Sequence, residues 1–165
     1  MSQTRTLLLL RHAKSSWDDP SLADHDRPLA PRGRRAAERI GELLRDQGIE
    51  ISLVLCSSAR RARETLELAQ PPGEVQIEQE LYGASARQLL DRIRRVPDEV
   101  ESLMLIGHNP AVEELALGLA ADRSELEGAK FPTGALVTFS VNEPWQGLAP
   151  GEATLTGFVK PRDLE

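Results

Sequence analysis

The hydrophobic residues of this chain fall into short continuous runs, each of which ends abruptly in polar residues. Three such runs, at 6–10, 53–56 and 103–106, consist almost entirely of aliphatic side chains. Runs without alternating polar positions are typical of parallel strands that helices cover on both faces. The three runs therefore predict the central strands of a parallel sheet.

Helical periodicity occupies the intervals between the apolar runs. Apolar residues spaced about one turn apart predict helices over 36–44, 59–69 and 86–95. Gly48 is placed to end the first of these helices, and Ser58 is a candidate N-cap for the second. Helices thus alternate with strands, as they do in α/β proteins.

The fourth predicted helix has the clearest start. Asn109 suits the N-cap, and Pro110 suits the first helical position. Two further runs, at 136–141 and 153–159, predict closing strands that lie antiparallel to each other. Together these elements predict an α/β fold, a three-layer sandwich with a mostly parallel central sheet and helices on both faces.

The length of 165 residues predicts one domain that spans 1–165, because a domain has roughly 150 residues. The longest aliphatic run, at 7–10, is too short to cross a membrane or to form the apolar part of a signal peptide. A single cysteine, Cys56, excludes an internal disulfide framework and is typical of a reducing compartment. We therefore expect a cytoplasmic protein that does not bind a membrane.

Charge is unevenly distributed along the chain. The formal net charge of −6 argues against general binding to nucleic acid or to anionic membranes. Residues 1–63 nevertheless carry 12 basic and 8 acidic side chains. Of the 20 basic residues, 17 are arginine, whose planar fork suits phosphate and carboxylate groups. Five arginines are expected to be ordinary surface cations: Arg32, Arg34, Arg35, Arg39 and Arg45.

Polar side chains follow the three central strands at the points where the strands end. Ligands of open α/β sheets bind beyond the carboxyl ends of the strands. These ends bring Arg11 with His12, the segment 58–63, and His108 to one edge of the sheet. The sequence therefore predicts that residues about 50 positions apart form one site.

A cluster of arginines opens the second predicted helix. Cations at a helix N-terminus oppose the macrodipole, whereas an anion bound there by backbone N–H groups reverses that penalty. Arg60, Arg61 and Arg63 therefore favour a phosphate site at this helix. The alternative is that these side chains face water or pair with nearby carboxylates.

The two histidines that follow strands admit three interpretations. A metal site would need a third ligand at suitable spacing, which His12 and His108 lack, and dense arginines would repel a divalent cation. A structural role is the second interpretation. The third is that one imidazole attacks phosphorus while arginines neutralise the phosphoryl oxygens. His25, in the polar stretch 24–26, is expected to be a loop residue.

Three segments at these strand ends resemble motifs of the histidine phosphatase superfamily, which has a phosphoglycerate mutase-like fold. Residues 10–13 are similar to its Arg-His-Gly signature, and residues 57–65 to its Ser-x-x-x-Arg-Ala-x-x-Thr motif. Residues 107–110 resemble the motif of its second histidine, and the order and spacing of the motifs match. The stretch 26–29 and the short chain resemble the small SixA-type phosphohistidine phosphatase branch.

The resemblance implies a role for each matching residue. His12 would be the nucleophile that is transiently phosphorylated. Arg11 and Arg61 would hold the phosphoryl oxygens, and His108 would complete the phosphate pocket. Arg27 matches a further phosphate-binding arginine of the SixA-type branch. The resemblance implies neither a metal nor a cofactor.

Four positions depart from the family pattern or leave alternatives open. Ala13 replaces the usual glycine, and Asp18 replaces a neutral asparagine and would repel phosphate if it pointed inward. Lys14 is either a cation at the rim of the site or an ordinary exposed lysine. Glu80 lies where larger family members place a general acid, with an exposed loop glutamate as the alternative.

The sequence therefore predicts a metal-independent phosphatase that works through a phospho-His12 intermediate. The expected substrate is phosphohistidine on a partner protein, since the short chain has little length with which to build a lid. A phosphatase for small phosphate monoesters is the enzymatic alternative. A catalytically weak module that binds phosphate or phosphoproteins is the alternative of another class. No nucleic-acid partner is expected.

Overall fold

A six-stranded sheet lies at the centre of the part of the chain that the structure describes. The computed structural model describes residues 4–165. The strands are β1 (Arg5–Arg11), β2 (Leu53–Ser57), β3 (Glu74–Glu78), β4 (Ser102–Gly107), β5 (Leu136–Val141) and β6 (Ala153–Val159). Within the described residues, their order across the sheet is β3-β2-β4-β1-β5-β6.

The strand directions confirm the predicted mixture of parallel and antiparallel pairing. Strands β3, β2, β4 and β1 run parallel to one another. β5 pairs antiparallel with β1, and β6 pairs antiparallel with β5. The three continuous apolar runs form β1, β2 and β4, which all lie inside the sheet. The closing strands have the predicted bounds and pair with each other.

Among residues 4–165, four α-helices cover the two faces of the sheet. They are α1 (Pro31–Asp46), α2 (Arg60–Ala69), α3 (Ala86–Arg94) and α4 (Ala111–Leu119). Leu8 and Leu10 of β1 pack in a cluster with apolar residues of α1 and α2. Leu7 and Leu9 pack in a second cluster with α3 and α4. A strand buried on both faces needs apolar residues at every position, which explains the continuous leucine run.

The edge strand β3 is absent from the sequence-based prediction. Its residues alternate between acidic or amide and aliphatic side chains, and Val75 and Ile77 remain 43% and 47% exposed. An edge strand that no helix covers fully does not need a continuous apolar run, so the signal that marked β1, β2 and β4 is missing here.

Two predicted helix starts differ from the structure. Ser58 is not the N-cap of α2, because Ala59 occupies that position without a side-chain cap. Asn109 is not the formal N-cap of α4, because the helix begins one residue later and Pro110 is the flanking residue. The Asn109 side chain still caps the first turn, since its Oδ1 accepts a hydrogen bond from the Glu113 N–H at 3.2 Å.

The register of the parallel strands aligns their carboxyl ends. Arg11, the last residue of β1, lies opposite Gly107, the last residue of β4. Ser57 ends β2, which runs parallel to β4 on its other side. The loops that follow these three strands therefore start at one edge of the sheet. Among residues 4–165, no helix combines the length and apolarity that a membrane crossing requires.

Candidate active site

Two histidines meet where β1 and β4 end. The backbone N–H of His12 donates a hydrogen bond to the carbonyl of Gly107 at 3.0 Å, which ties the end of β1 to the end of β4. The ring centroids of His12 and His108 are 5.0 Å apart. The structure thus brings together two side chains that are 96 positions apart in the sequence.

A hydrogen bond to the backbone sets the tautomer of His12. Its Nδ1 lies 2.7 Å from the carbonyl oxygen of Ala13. A carbonyl can only accept, so Nδ1 carries the proton and Nε2 keeps its lone pair. Burial, above all, lowers the pKa of His12 to about 3, and the charges of Arg61 and Arg11 act in the same direction. His12 is therefore a neutral imidazole with a free nitrogen at neutral pH.

His108 contacts the end of β2 through Ser57. The Oγ of Ser57 accepts a hydrogen bond from the Ala59 N–H at 3.3 Å and lies 2.7 Å from Nε2 of His108. The other ring nitrogen of His108, Nδ1, is buried and has no hydrogen-bond partner among residues 4–165. A bound ligand would satisfy this nitrogen.

Arg61 and Arg27 converge on one carboxylate. Arg61 donates from Nη1 to the backbone oxygen of Asp24 at 2.7 Å and from Nη2 to its Oδ2 at 3.0 Å. Arg27 donates from Nη1 to Oδ1 of Asp24 at 3.0 Å. Trp17, which is 74% exposed, stacks on Arg27 with 3.2 Å between the guanidinium carbon and the ring centroid. Both guanidinium groups are therefore held in place and largely shielded from water.

Tyr82 joins the same group through Asp24. Its hydroxyl donates to Oδ2 of Asp24 at 2.7 Å, and its ring meets the His108 ring edge-on with centroids 5.7 Å apart. The hydrogen bond from Tyr82, followed by those from Arg61 and Arg27, holds the pKa of Asp24 well below its usual range. Asp24 is therefore ionised at neutral pH and cannot serve as a proton donor.

Arg11 reaches the site from the end of β1. Its Nη1 donates to the backbone oxygen of Phe131 at 2.9 Å, and its Nε is buried without a partner within residues 4–165. Burial lowers the pKa of Arg11, and the nearby Glu113 opposes that effect. The Nε of Arg11 always carries a proton, so it is a donor that an anion would satisfy.

A threonine hydroxyl connects the loop after β1 to α2. The Oγ1 of Thr65 accepts a hydrogen bond from the Ala13 N–H at 3.0 Å and donates to the Arg61 carbonyl at 2.7 Å. Because the Ala13 carbonyl also holds His12, this bridge relates the positions of the imidazole and of Arg61. Thr65 is the last residue of the second sequence motif. The two hydrogen bonds of its hydroxyl give a structural reason for a threonine at that position.

Comparison with known proteins places this site in a family. The sequence model of the histidine phosphatase superfamily (branch 1) matches residues 7–82. An uncharacterized protein of Mycobacterium tuberculosis is 41% identical over 159 residues, which are 93% of this chain and all of that protein. The solved structure of the putative phosphohistidine phosphatase SixA of Nakamurella multipartitia is 32% identical to this chain. The two structures superpose with a TM-score of 0.87, and 96% of each chain is covered. The chain belongs to the histidine phosphatase superfamily.

A second solved structure confirms the fold. The protein histidine phosphatase SixA complexed with tungstate superposes with a TM-score of 0.79 at 24% identity, over 97% of this chain and 99% of that chain. The predicted α/β sandwich of the phosphoglycerate mutase-like type is therefore confirmed. The protein is a phosphatase of this superfamily, and its likeness to SixA proteins extends over nearly the full chain.

Only one of the three arginines at the start of α2 turns toward the histidines. Arg60 pairs with Glu64, with 3.1 Å between Nε and Oε2, and half of its side chain is exposed. Arg63 donates from Nε to the Ser58 carbonyl at 2.8 Å. The alternative of ordinary local pairing thus describes Arg60 and Arg63, whereas Arg61 enters the site.

Glu80 does not join the histidines. Its carboxylate lies 3.3 Å from Nη2 of Arg95 and 3.5 Å from Nε of Arg92, both on or next to α3. About half of the side chain is exposed. The position expected for a general acid from the resemblance is therefore occupied by a glutamate that binds arginines at the surface.

The departures from the family pattern do not disturb the site. Ala13 is buried in a small apolar cluster with Leu29 and Ala37, so its Cβ is accommodated. Asp18 is exposed, and its backbone N–H bonds to the hydroxyl of Ser16. The carboxylate that meets the arginines is Asp24, not Asp18.

Asp24, Tyr82 and His25 lie beside the site, although sequence reasoning placed none of them there. His25 is in a 3₁₀ helix at Asp24–Asp26, and its Nε2 is 2.9 Å from the hydroxyl of Ser58. Its ring meets that of Tyr82 edge-on, with centroids 4.8 Å apart. The sequence signal that could have marked Asp24 is its position three residues before Arg27, a spacing that suits an ion pair.

We expect Asp24→Ala to lower kcat/KM for a phosphohistidine substrate by about 100-fold, because small displacements of positioning groups cost about that much. Loss of the carboxylate removes one hydrogen bond from each of Arg61, Arg27 and Tyr82. The matched control is Asp26→Ala, which removes an exposed carboxylate from the same 3₁₀ helix and should change the rate by less than about twofold. Steady-state kinetics test this, and an increase in kcat/KM would show instead that Asp24 competes with the substrate.

The two site histidines should stay neutral well below pH 6.5. Burial is the main cause that lowers the pKa of His12 to about 3 and that of His108 to about 4. NMR titration of the ring C–H signals in the ligand-free protein should show no midpoint for either histidine between pH 8 and pH 5. The urea-unfolded chain should titrate near 6.5. Midpoints near 6.5 in the folded protein would contradict the assignment.

The same shifts set the sign of the effect of pH on stability. Below about pH 6.5 the unfolded chain binds protons that the folded His12 and His108 do not. The free energy of unfolding should therefore fall as the pH drops below that value. Urea unfolding followed by circular dichroism at pH 7 and pH 5 measures the change.

Proposed function

We propose that this protein removes the phosphoryl group from phosphohistidine on a partner protein through a phospho-His12 intermediate. The observation that carries the proposal is the hydrogen bond from Nδ1 of His12 to the Ala13 carbonyl, which leaves Nε2 as a neutral nucleophile. Around it lie the donors that a phosphoryl group requires: Arg11, Arg61, Arg27 and His108.

In the first step, the lone pair on Nε2 of His12 attacks phosphorus and forms a new N–P bond. The bond between phosphorus and the substrate nitrogen breaks, and its electron pair returns to the substrate imidazole, which takes up a proton from water. Guanidinium groups neutralise the phosphoryl oxygens throughout, and Nδ1–H of His108 donates to one of them. Binding orients the phosphoryl group in line with Nε2, which removes much of the entropic barrier.

In the second step, water attacks phosphorus of phospho-His12. The N–P bond breaks and its electron pair returns to Nε2. Inorganic phosphate leaves with the oxygen and both protons of the attacking water. Because Nδ1 keeps its hydrogen bond to the Ala13 carbonyl, His12 regains the same tautomer at the end of each cycle.

The acid chemistry of the site supports phosphohistidine over a phosphate ester. Expulsion of an alkoxide is helped by a protonated carboxyl group. Asp24 is held ionised by Tyr82 and the arginines, and Glu80 binds Arg92 and Arg95 at the surface. An imidazole is a far better leaving group than an alkoxide and needs no strong acid. The likeness to the SixA protein of Nakamurella multipartitia supports the same substrate class.

The test is release of inorganic phosphate from two substrates, a small protein phosphorylated on histidine with phosphoramidate and an aryl phosphate. We expect fast release from phosphohistidine, poor turnover of the aryl phosphate, and loss of both in His12→Ala. Equal or faster turnover of the aryl phosphate would favour a phosphatase for small monoesters. Phosphate binding without turnover of either substrate would favour the binding module.

A further inference from the structure

A stripe of arginines lies on one face of α1, beyond the site described above. Arg32, Arg35 and Arg39 are three and four residues apart, which places them on the same side of the helix. They line a surface groove of about 380 Å³ whose other wall contains Pro161 and Glu165 at the C-terminal end of the chain. The groove therefore lies between α1 and the 3₁₀ helix at Pro161–Leu164.

The groove leads to the edge of the active site. A second depression of about 230 Å³ shares Arg32 and Pro161 with the first and is lined also by Lys14 and Thr133. Lys14 is two residues beyond His12. Gly33 of α1 packs so tightly on the backbone of Lys14 that a side chain at that position would collide with its carbonyl oxygen.

The opposite side of the second depression is also joined to the catalytic strand. Gly134, the residue after Thr133, donates its N–H to the carbonyls of Arg11 and His12 at 3.0 and 2.9 Å. The arginine stripe thus begins next to the residues that hold the nucleophile. It runs away from them for two turns of α1.

The four cations that line this groove and the second depression are not held by other side chains of the described protein. Within residues 4–165, the side chains of Lys14, Arg32, Arg35 and Arg39 have no hydrogen-bond or ion-pair partner. Like charges at these helical spacings destabilise a helix. The formal net charge of the chain is −6, so this surface is positively charged on a protein that is negatively charged as a whole. Glu165 is the acidic residue among those that line the groove.

We propose that this groove docks an acidic segment of the phosphoprotein substrate and so guides its phosphohistidine to His12. This inference rests on the proposed function and adds to it the chemical character of the partner, which is an acidic segment. From Arg32 to Arg39 the helix rises about 10.5 Å, the length of about three residues of an extended chain. Three consecutive residues that include aspartate or glutamate therefore match the stripe.

Charge complementarity is the physical basis of this docking. Opposite charges across an interface speed association and fix the register of the partner. The net charge of −6 repels a long polyanion such as nucleic acid, whereas a short acidic segment meets only the groove. The contacts are exposed, so salt should weaken them.

The test compares two synthetic peptides that carry one phosphohistidine. One has aspartates on both sides of the phosphohistidine, and the other has asparagines at the same positions. Wild-type protein at low salt should favour the aspartate peptide by about tenfold in kcat/KM, and salt should reduce that preference. The double variant Arg35→Glu with Arg39→Glu should lose the preference.

The matched control is the double variant Arg34→Glu with Arg45→Glu, which changes the charge of the same helix equally at exposed residues outside the groove. It should keep the preference. All three proteins should hydrolyse free phosphohistidine at equal rates. Equal use of the two peptides by wild type, or equal loss in both double variants, would overturn the docking proposal.

A binding measurement separates this proposal from the catalytic one. Fluorescence anisotropy with the unphosphorylated aspartate peptide should show binding to wild type that the Arg35→Glu and Arg39→Glu changes abolish. If no phosphohistidine substrate were hydrolysed, the proposed function would fail while this result could still support the groove. Tighter binding of a labelled single-stranded oligonucleotide with the same dependence on Arg35 and Arg39 would overturn the choice of an acidic protein segment.

Discussion

His12→Ala should lower the rate of phosphate release from phosphohistidine by about 10⁴-fold or more, since loss of a nucleophile costs that much in other covalent mechanisms. The same variant should take up no labelled phosphate. The arginines and His108 would still bind the phosphoryl group, but neither His25 nor His108 has a hydrogen bond from its ring to a backbone carbonyl within residues 4–165, as His12 has. Rapid acid-free quenching and detection of base-stable labelled protein measure the intermediate.

The control for this experiment is another histidine in the same region. The chain has three histidines. The ring of His25 contacts the side chains of Ser58 and Tyr82, whereas the ring of His12 is held by a backbone carbonyl. His25→Ala should still form the labelled intermediate. Circular dichroism should show that His12→Ala remains folded, because removal of a buried imidazole with a lowered pKa costs no ion pair. Labelled phosphate on His12→Ala, or full turnover by it, would refute the mechanism.

Arg61→Ala should reduce kcat/KM by about 10²-fold to 10³-fold, the range seen when one preorganised donor to a developing charge is removed. Arg61 is almost fully buried and is held by two hydrogen bonds from its guanidinium to Asp24. Arg61→Lys should recover little of the loss, since a lysine ammonium cannot reproduce the planar fork. Steady-state kinetics on the phosphohistidine protein test both variants.

The neighbouring arginine provides the comparison. Arg60 is also in the first turn of α2, but it pairs with Glu64 at the surface. Arg60→Ala should therefore change kcat/KM by less than about threefold, since an exposed ion pair contributes little. Equal losses in Arg60→Ala and Arg61→Ala would show that the helix carries a general positive field rather than one positioned guanidinium.

The fold was predictable where burial is strongest. Residues 7–10 are fully buried. A strand that is buried on both faces needs an apolar side chain at every position, so the continuous leucine run identifies a central strand. Edge strand β3 lacks that requirement on its exposed side, so Val75 and Ile77 alternate with polar residues and the strand was missed. The hydroxyl of Ser58, a predicted cap, contacts His25 instead of the first turn of α2. Asn109 lies one residue before the formal N-cap of α4 but still bonds to the first turn.

The candidate site was predictable to the extent that its residues lie next to strand ends. Arg11 and His12 lie at the end of β1, and His108 follows β4 directly. Asp24 comes from a loop with no neighbouring strand, and it meets Tyr82 across 58 positions of sequence. A pattern of neighbouring residues in the sequence cannot predict a contact between such distant positions. Glu80 failed to join the histidines for the same reason, since its partners Arg92 and Arg95 are set by the packing of α3.

By itself, the amino-acid sequence determined the succession of strands and helices apart from edge strand β3, the family motifs and the edge of the sheet at which these motifs meet. Hydrophobic periodicity and chain connectivity are local properties, so they can be found along the chain. Only the tertiary structure decided that Nδ1 of His12 donates to the Ala13 carbonyl, that Asp24 holds two arginines, and that Arg61 alone of its cluster turns inward. These outcomes depend on distances, desolvation and hydrogen bonds between segments that are far apart in sequence, and such terms arise only once the chain has packed.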